Sequence, residues 1–252
     1  MVAAVCMVKD EADIVEVTVG HMTRQVDHVL VADNGSTDET REILEGLGVE
    51  VIDDPEPGYF QSRKMTALAL QAAAAGAEWV VPFDADEFWA VKEGRIADVL
   101  SELPPEAKVA EAGVLDHVAT DEPGLSPWRR AEVLPLRKVA CRPHPDLKIA
   151  QGNHAALYRG DPHPLTVTGL LEIRHWPHRS PEQMIRKARN GAAAYAATNL
   201  NESYGAHWRQ WGTLTDEQLR EVFFEHYHSP ARPPARLSLD PPRPRRAEHA
   251  SP

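Results

Sequence analysis

Apolar runs of strand length alternate with helical stretches through the first 115 residues of this 252-residue chain, and that alternation limits the fold more than any other feature. Val2 to Val8 is almost unbroken in apolar character, as expected of a strand covered on both faces. Glu11 to Arg24 reads as a helix and Val26 to Ala32 as a second strand. In Asp33-Asn34-Gly35-Ser36-Thr37-Asp38-Glu39, Ser36 and Glu39 have capping-box spacing, which predicts a helix from just after Gly35 to Leu47. Gly48 to Asp53 is a third strand, closed by Pro55-Glu56-Pro57-Gly58. Ala- and Leu-rich Phe60 to Gly76 predicts another helix, and Glu78 to Phe83 a fourth strand. Strand-helix units of ~25–30 residues build a mostly parallel α/β sheet flanked by helices. Ligands on such sheets gather beyond the carboxyl ends of the strands. Lys9-Asp10-Glu11, Asp33 and Asp84-Ala85-Asp86 all follow strand ends, so three polar clusters fall on one edge.

The second half is less regular. Arg95 to Leu103 predicts a helix stopped by Pro104-Pro105. Residues 108–175 carry short apolar runs, prolines and histidines, and read as a mixed or antiparallel region. Ser180-Pro181-Glu182-Gln183 is a strong helix start, with a Ser cap, Pro at the first position and Gln183 to close the capping box; Thr215 and Gln218 start another helix reaching about His228. The tail 229–252 is rich in Pro and Arg and is expected to be disordered. No internal repeat is found.

A formal net charge of -11 argues against a general nucleic-acid binder, which needs a basic surface. Cys6 and Cys141 are the only cysteines and do not make a disulfide framework, which suits a reducing cytosol. No basic leader precedes Lys9, and no segment approaches the ~20 apolar residues of a membrane span. The expectation is a soluble, cytoplasmic protein, with oligomeric state left open.

Trp79-Val80-Val81-Pro82-Phe83-Asp84-Ala85-Asp86-Glu87-Phe88-Trp89 carries the most chemistry. In an extended segment residues i and i+2 share a side, so Asp84 and Asp86 are expected to converge on one point, suited to a hard divalent cation and through it a phosphate. A turn of ordinary acids is the alternative, and the other clusters weigh against it. Val8-Lys9-Asp10-Glu11, Asp33-Asn34-Gly35-Ser36-Thr37-Asp38, Arg63 and Phe83-Asp84-Ala85-Asp86-Glu87 occur in the order seen in glycosyltransferase family 2. Residues 1–90 resemble that family closely. Gly152-Asn153-His154 and His175-Trp176-Pro177-His178-Arg179-Ser180 resemble a bacterial branch more loosely.

The resemblance implies a GT-A fold: a Rossmann-like, mostly parallel sheet, a mixed C-terminal half and terminal helices. It divides the chain into a nucleotide-sugar-binding half (1–115), an acceptor-binding and metal-completing half (116–228) and the tail. It implies a metal-dependent glycosyltransferase using Mn²⁺ or Mg²⁺ and a nucleotide diphosphate sugar. Asp33 would accept from the base, and a carboxylate suits the imide N–H of uracil, favouring a UDP-sugar. Met7 and Val8 would wall the base pocket, and Arg63 would reach the base or diphosphate, with Lys64 an equal alternative. In the DxD motif, Asp86 would bind the metal and Asp84 the ribose or a metal-bound water, beside Ala85. His175 is the candidate to complete the metal shell, His154 the next.

An inverting transfer needs a base near the acceptor hydroxyl, normally Asp or Glu. The Glu-Asp pair many family members use has no clear equivalent, and Asp116 is the candidate base. Trp128, Trp176, Trp208 and Trp211 could stack on acceptor sugars or pack the core. Sugar and acceptor stay open, the latter among small molecules, lipids, peptides and glycans. Three other readings compete: a non-catalytic nucleotide-sugar-binding protein, a zinc hydrolase built on the histidines, and a sugar-phosphate nucleotidyltransferase. The last normally carries a Gly-rich basic loop after the first strand, where this chain has acidic Lys9-Asp10-Glu11.

Overall fold

The computed structural model describes residues 1–130 and 135–229, and the backbone of 237–239. The first half runs β1 (Val2–Val8), α1 (Val15–Gln25), β2 (His28–Asp33), α2 (Thr40–Gly46), β3 (Glu50–Asp53), α3 (Gln61–Ala74), β4 (Trp79–Asp84), β5 (Glu87–Val91), α4 (Ile96–Ser101) and β6 (Ala107–Asp116). The second runs β7 (Trp128–Arg130), β8 (Arg137–Cys141), β9 (Leu147–Ile149), a single 3-10 turn (Gln151–Asn153), β10 (Ala156–Tyr158), β11 (Leu165–His175), α5 (Pro181–Ala196), α6 (Ala206–Gly212), α7 (Asp216–His226) and β12 (Leu237–Leu239).

Eight strands form one sheet in the order β3-β2-β1-β4-β8-β6-β11-β5. The first four are mutually parallel. β8 then runs antiparallel to β4 and β6, β11 parallel to β6, and β5 antiparallel to β11. This is the expected α/β architecture, a wound parallel half continued by a mixed one. β8 and β11 come from the second half of the chain, so both halves share the sheet.

The unbroken apolar run of β1 has a direct cause. Val2, Ala4, Cys6 and Val8 pack on one face with α1 and α4 residues such as Val19, Met22 and Leu100. Ala3, Val5 and Met7 pack on the other with Met65, Leu68 and Ala69 of α3. Pro82, which has no N–H to donate, is tolerated in β4 because pairing with β8 is confined to Val80 and Cys141.

Several boundaries differ from the sequence reading. The helix expected just after Gly35 starts at Thr40, and Ser36 does not cap it. The Ser36 hydroxyl donates to Asp33 Oδ1 (2.6 Å) and accepts from the Asp10 N–H (3.1 Å), so tertiary partners outcompete the local box. The helix expected from Glu11 begins only at Val15. Ser180 caps α5 as expected by accepting from Gln183 N, but the Gln183 side chain accepts from Arg179 N instead of closing the box. Thr215 and Gln218 do form a reciprocal capping box.

Apart from Ser229 and β12, which pairs antiparallel with β7, the 229–252 tail lies outside the described residues. Among the described residues no helix is long and apolar enough to cross a membrane.

Candidate active site

A cavity of about 580 Å³ opens at the carboxyl ends of β1 and β4, where α5 and α6 close over the sheet edge. Of the residues singled out in sequence, Met7, Val8, Asp84, Ala85, Asp86, Asp116, His154 and His175 line it. Asp33 and Arg63 are not among the lining residues. The register sets this edge: Met7 lies opposite Asp84, and Val8 opposite Asp33.

The two acids of the motif do not converge as an extended segment would make them. β4 ends at Asp84 and β5 begins at Glu87, so the chain turns between them. Glu87 pins the turn by accepting from the Asp84 N–H (3.1 Å). Each carboxylate consequently faces its own cation. Asp84 Oδ2 takes Lys138 Nζ at 2.6 Å, while its Oδ1 accepts from Gln61 (3.1 Å) and Asn153 (3.2 Å). Lys138 is 7% exposed and also pairs with Glu87 at 2.8 Å. Burial works against its charge, but Asp84 and then Glu87 outweigh it and raise the Lys138 pKa.

Asp86, 3% exposed, pairs through Oδ2 with Lys187 of α5 and through Oδ1 with His175 Nε2 at 3.5 Å. His175 Nδ1 donates to Asp116 Oδ1 at 2.8 Å. Asp116 thus fixes the ring and directs Nε2 at Asp86. Burial alone would raise the Asp86 pKa, but Lys187 and His175 hold it well below the usual carboxylate range. Burial would lower the His175 pKa, but Asp86 and then Asp116 push it up to about 10.

The sign of the resulting pH dependence follows by linkage. A histidine with a raised native pKa contributes stability that is complete below the ordinary value of 6.5 and lost as pH rises through about 10. The melting-temperature gap between the wild type and His175→Gln is therefore expected to be widest near pH 6 and to narrow steadily towards pH 10. A gap that is flat or widens over that range, followed by circular dichroism, would contradict the assignment.

Behind this pole, Arg179 ties Glu11 (2.6 Å) and Asp13 (2.7 Å) to the start of α5. Asp10 adopts φ 54°, a left-handed conformation uncommon outside glycine. The carboxylate of Asp10 accepts from Thr37 N (2.6 Å) and Asn190 of α5 (2.7 Å), contacts that hold the turn. The N–H groups of Asp10, Glu11 and Ala12 are taken by Ser36, Thr40 and Asp38 (3.1, 2.8 and 3.2 Å). A loop with its donors occupied this way does not cradle a triphosphate, which removes the ground for a nucleotidyltransferase.

Asp33 is buried, and its Oδ1 accepts from Ser36 N (3.0 Å) and Oγ; its Oδ2 lies 3.6 Å from Arg41. Arg63 is on the outer surface, paired with Glu56 and set over the Phe60 ring at 4.8 Å. Lys64 is bound to Asp54 at 2.5 Å. His154 lies on the cavity wall and is bonded through Nδ1 to the Arg137 carbonyl (2.8 Å) rather than to either motif acid. Gly152 before it has φ +76°, and a Cβ there would lie 2.5 Å from the His154 ring, so only glycine fits. Trp208 and Trp211 line the cavity beside His207 and Tyr227. Trp176 instead packs inside, stacked on His117 at 3.9 Å.

Sequence reasoning missed Lys138, Lys187, Arg179, Gln61 and Asn190. Arg179 and Lys187 had one usable signal, since the helix start at Ser180 places both on or beside a segment amphipathic enough to bury a face. Among the described residues no group of three or more His, Cys, Asp or Glu is arranged to hold a metal by itself. The donors that do meet are Asp86 and His175. A magnesium-type site needs only one or two protein ligands besides phosphates and water, and a histidine oriented by a carboxylate suits one. The donor set therefore fits a divalent cation completed by substrate.

A family model for glycosyl transferase family 2 matches residues 4–132, and the chain belongs to that family. No curated protein sequence matches it. Similar solved structures include glucosyl-3-phosphoglycerate synthase from Mycobacterium tuberculosis in complex with Mn²⁺, UDP and glucosyl-3-phosphoglycerate, at 20% identity over 45% of this chain and 44% of that one, TM-score 0.34. The mannosyltransferase PcManGT from Pyrobaculum calidifontis, in complex with GDP-Man and Mn²⁺, is 14% identical over 89% of this chain and 73% of that one, TM-score 0.46. S. aureus TarS 1-349 is 13% identical over 84% and 70%, TM-score 0.42. The chain spans less than half the length of the first of these.

Proposed function

We propose that this chain transfers a sugar from a nucleotide diphosphate donor, a UDP-sugar foremost, to an acceptor hydroxyl in the cytoplasm, with Mn²⁺ or Mg²⁺ as cofactor. The observation that carries this reading is the chain Asp86–His175–Asp116, with Asp86 buried and the other two partly buried, at the carboxyl edge of the sheet, inside a cavity large enough for a nucleotide sugar. Asp86 and His175, the latter once the cation displaces its Nε2 proton, would hold the cation. When bound, it would neutralise charge gathering on the departing nucleoside diphosphate.

The chain's own residues supply the rest. Asp84, neutralised by Lys138 and steadied by Gln61 and Asn153, presents a fixed polar wall for the ribose. Met7 and Val8 give the base an apolar side. Asp33 ends β2 next to cavity-lining Asn34 and outside the lining itself; the uridine preference rests on a carboxylate at that position suiting a uracil imide. Residues 1–115 would hold the donor and 116–228 the acceptor, with Trp208, Trp211 and His207 as stacking surfaces. Displacement would invert the anomeric carbon, with Asp116 taking the acceptor proton.

A thermal-shift panel of UDP, GDP, ADP, CDP and their sugars, each with Mn²⁺, tests this. At 100-fold over Kd a ligand stabilises by about 2.7 kcal/mol, which in a chain of this size is a rise of roughly 5–10 °C. UDP-based ligands are expected to give the largest rise. No shift with any nucleotide would count against the reading.

A further inference from the structure

We propose that Lys187 is an internal counter-ion that holds Asp86 in the absence of a divalent cation, and that on being displaced it binds the diphosphate of the donor. This rests on the functional reading above and assigns α5 a part in it.

The cations around the motif are not equivalent. Lys138 is clamped between Asp84 (2.6 Å) and Glu87 (2.8 Å) with a side chain only 8% exposed. Arg179, also 8% exposed, is tied to Glu11, Asp13 and the Trp176 carbonyl. Arg186 donates to the Asp10 carbonyl (3.2 Å) and Asp13 (3.0 Å), without touching Asp86. Lys187 differs. Its ammonium sits on Asp86 Oδ2 with a distant second carboxylate, Glu11 at 3.9 Å, and the Pro177 carbonyl at 3.4 Å. Its side chain is 24% exposed and lines the cavity.

An ammonium and a divalent cation on one buried carboxylate repel each other strongly in a poorly hydrated site, so the arrival of the metal weakens the hold of Asp86 on Lys187. Lys187 on Oδ2 therefore competes with the metal for Asp86. A lysine is a flexible stem ending in a compact charge, so once displaced Lys187 can turn within the cavity. The diphosphate that accompanies the metal is the strong anion available to it. The consequence is coupling: metal alone must expel Lys187 with no new partner for it, whereas metal and diphosphate together supply one.

The test is Mn²⁺ binding to the full chain, read from the electron paramagnetic resonance signal of free Mn²⁺, first without nucleotide and then with saturating UDP. Lys187→Met is expected to bind Mn²⁺ alone about tenfold or more tighter than wild type. The factor by which UDP strengthens Mn²⁺ binding should shrink in that variant. Arg186→Gln removes the same charge from the neighbouring position without vacating Asp86, and its gain should stay within about threefold. Lys187→Gln, checked by its melting curve, serves if the Met variant does not fold. Unchanged Mn²⁺ affinity in both Lys187 variants, or an equal gain in Arg186→Gln, would overturn the proposal. The functional reading fails separately, if wild type shows no Mn²⁺-dependent UDP binding while the metal-only arm still responds to Lys187.

Discussion

Asp86→Asn is expected to lower kcat/KM for sugar transfer by about 10³-fold, roughly 4 kcal/mol of transition-state stabilisation, while the chain stays folded. The substitution keeps the shape of the side chain and removes its charge. In the proposed site it takes from the cation its carboxylate ligand, and it takes from His175 one of the two acids that orient it. Folding is expected to survive because Lys187 keeps Glu11 at 3.9 Å and His175 keeps Asp116 at 2.8 Å. Steady-state kinetics together with a circular-dichroism melt checks both halves. If the variant loses its cooperative melt as well as its activity, Asp86 is a structural counter-ion and the catalytic assignment is wrong.

The largest effect on stability is expected at Lys138. Lys138→Met leaves Asp84 and Glu87 facing one another with no ammonium between them, Glu87 being fully buried. Removing one partner from a buried ion pair costs about 3–5 kcal/mol, which corresponds here to a fall of roughly 10 °C in Tm. Burial already raises the Glu87 pKa, even with Lys138 present. Without the lysine, repulsion from Asp84 raises it further. A carboxyl with a raised native pKa binds its proton more tightly folded than unfolded, so the variant regains stability as pH falls. The Tm deficit should thus be widest near neutrality and narrow towards about pH 4. Melts of both proteins across that range decide it: a deficit that grows on acidification would contradict the double ion pair.

What the sequence disclosed and what it hid have different physical origins. The parallel half was legible because β1 is apolar on both faces, a pattern a solvent-facing strand does not produce. The polar edge was legible because topology places every parallel strand's end together. The geometry of Asp84 and Asp86 was not: Ala85 gives no turn signal of the kind Gly, Pro or Asn provide, yet the chain turns there. Ser36 and Glu39 satisfied a local rule and lost to Asp33 and Asp10, partners brought in by tertiary structure. Lys138 and Lys187 were invisible for a related reason. A charged residue on a strand or helix is usually solvated, and only the packing of β8 against β4 and of α5 over the sheet edge turns these two inward. The histidines divided by their partners: His175 meets two acids, His154 a carbonyl.

The central claim is that Asp86 and His175 hold a divalent cation through which the cavity captures a nucleotide diphosphate. Calorimetric titration of UDP into the full chain, once with Mn²⁺ and once with the metal chelated, tests it most directly. The account predicts saturable binding with Mn²⁺ that weakens at least tenfold without it. Equal affinity in the two titrations, or no binding in either, would contradict it.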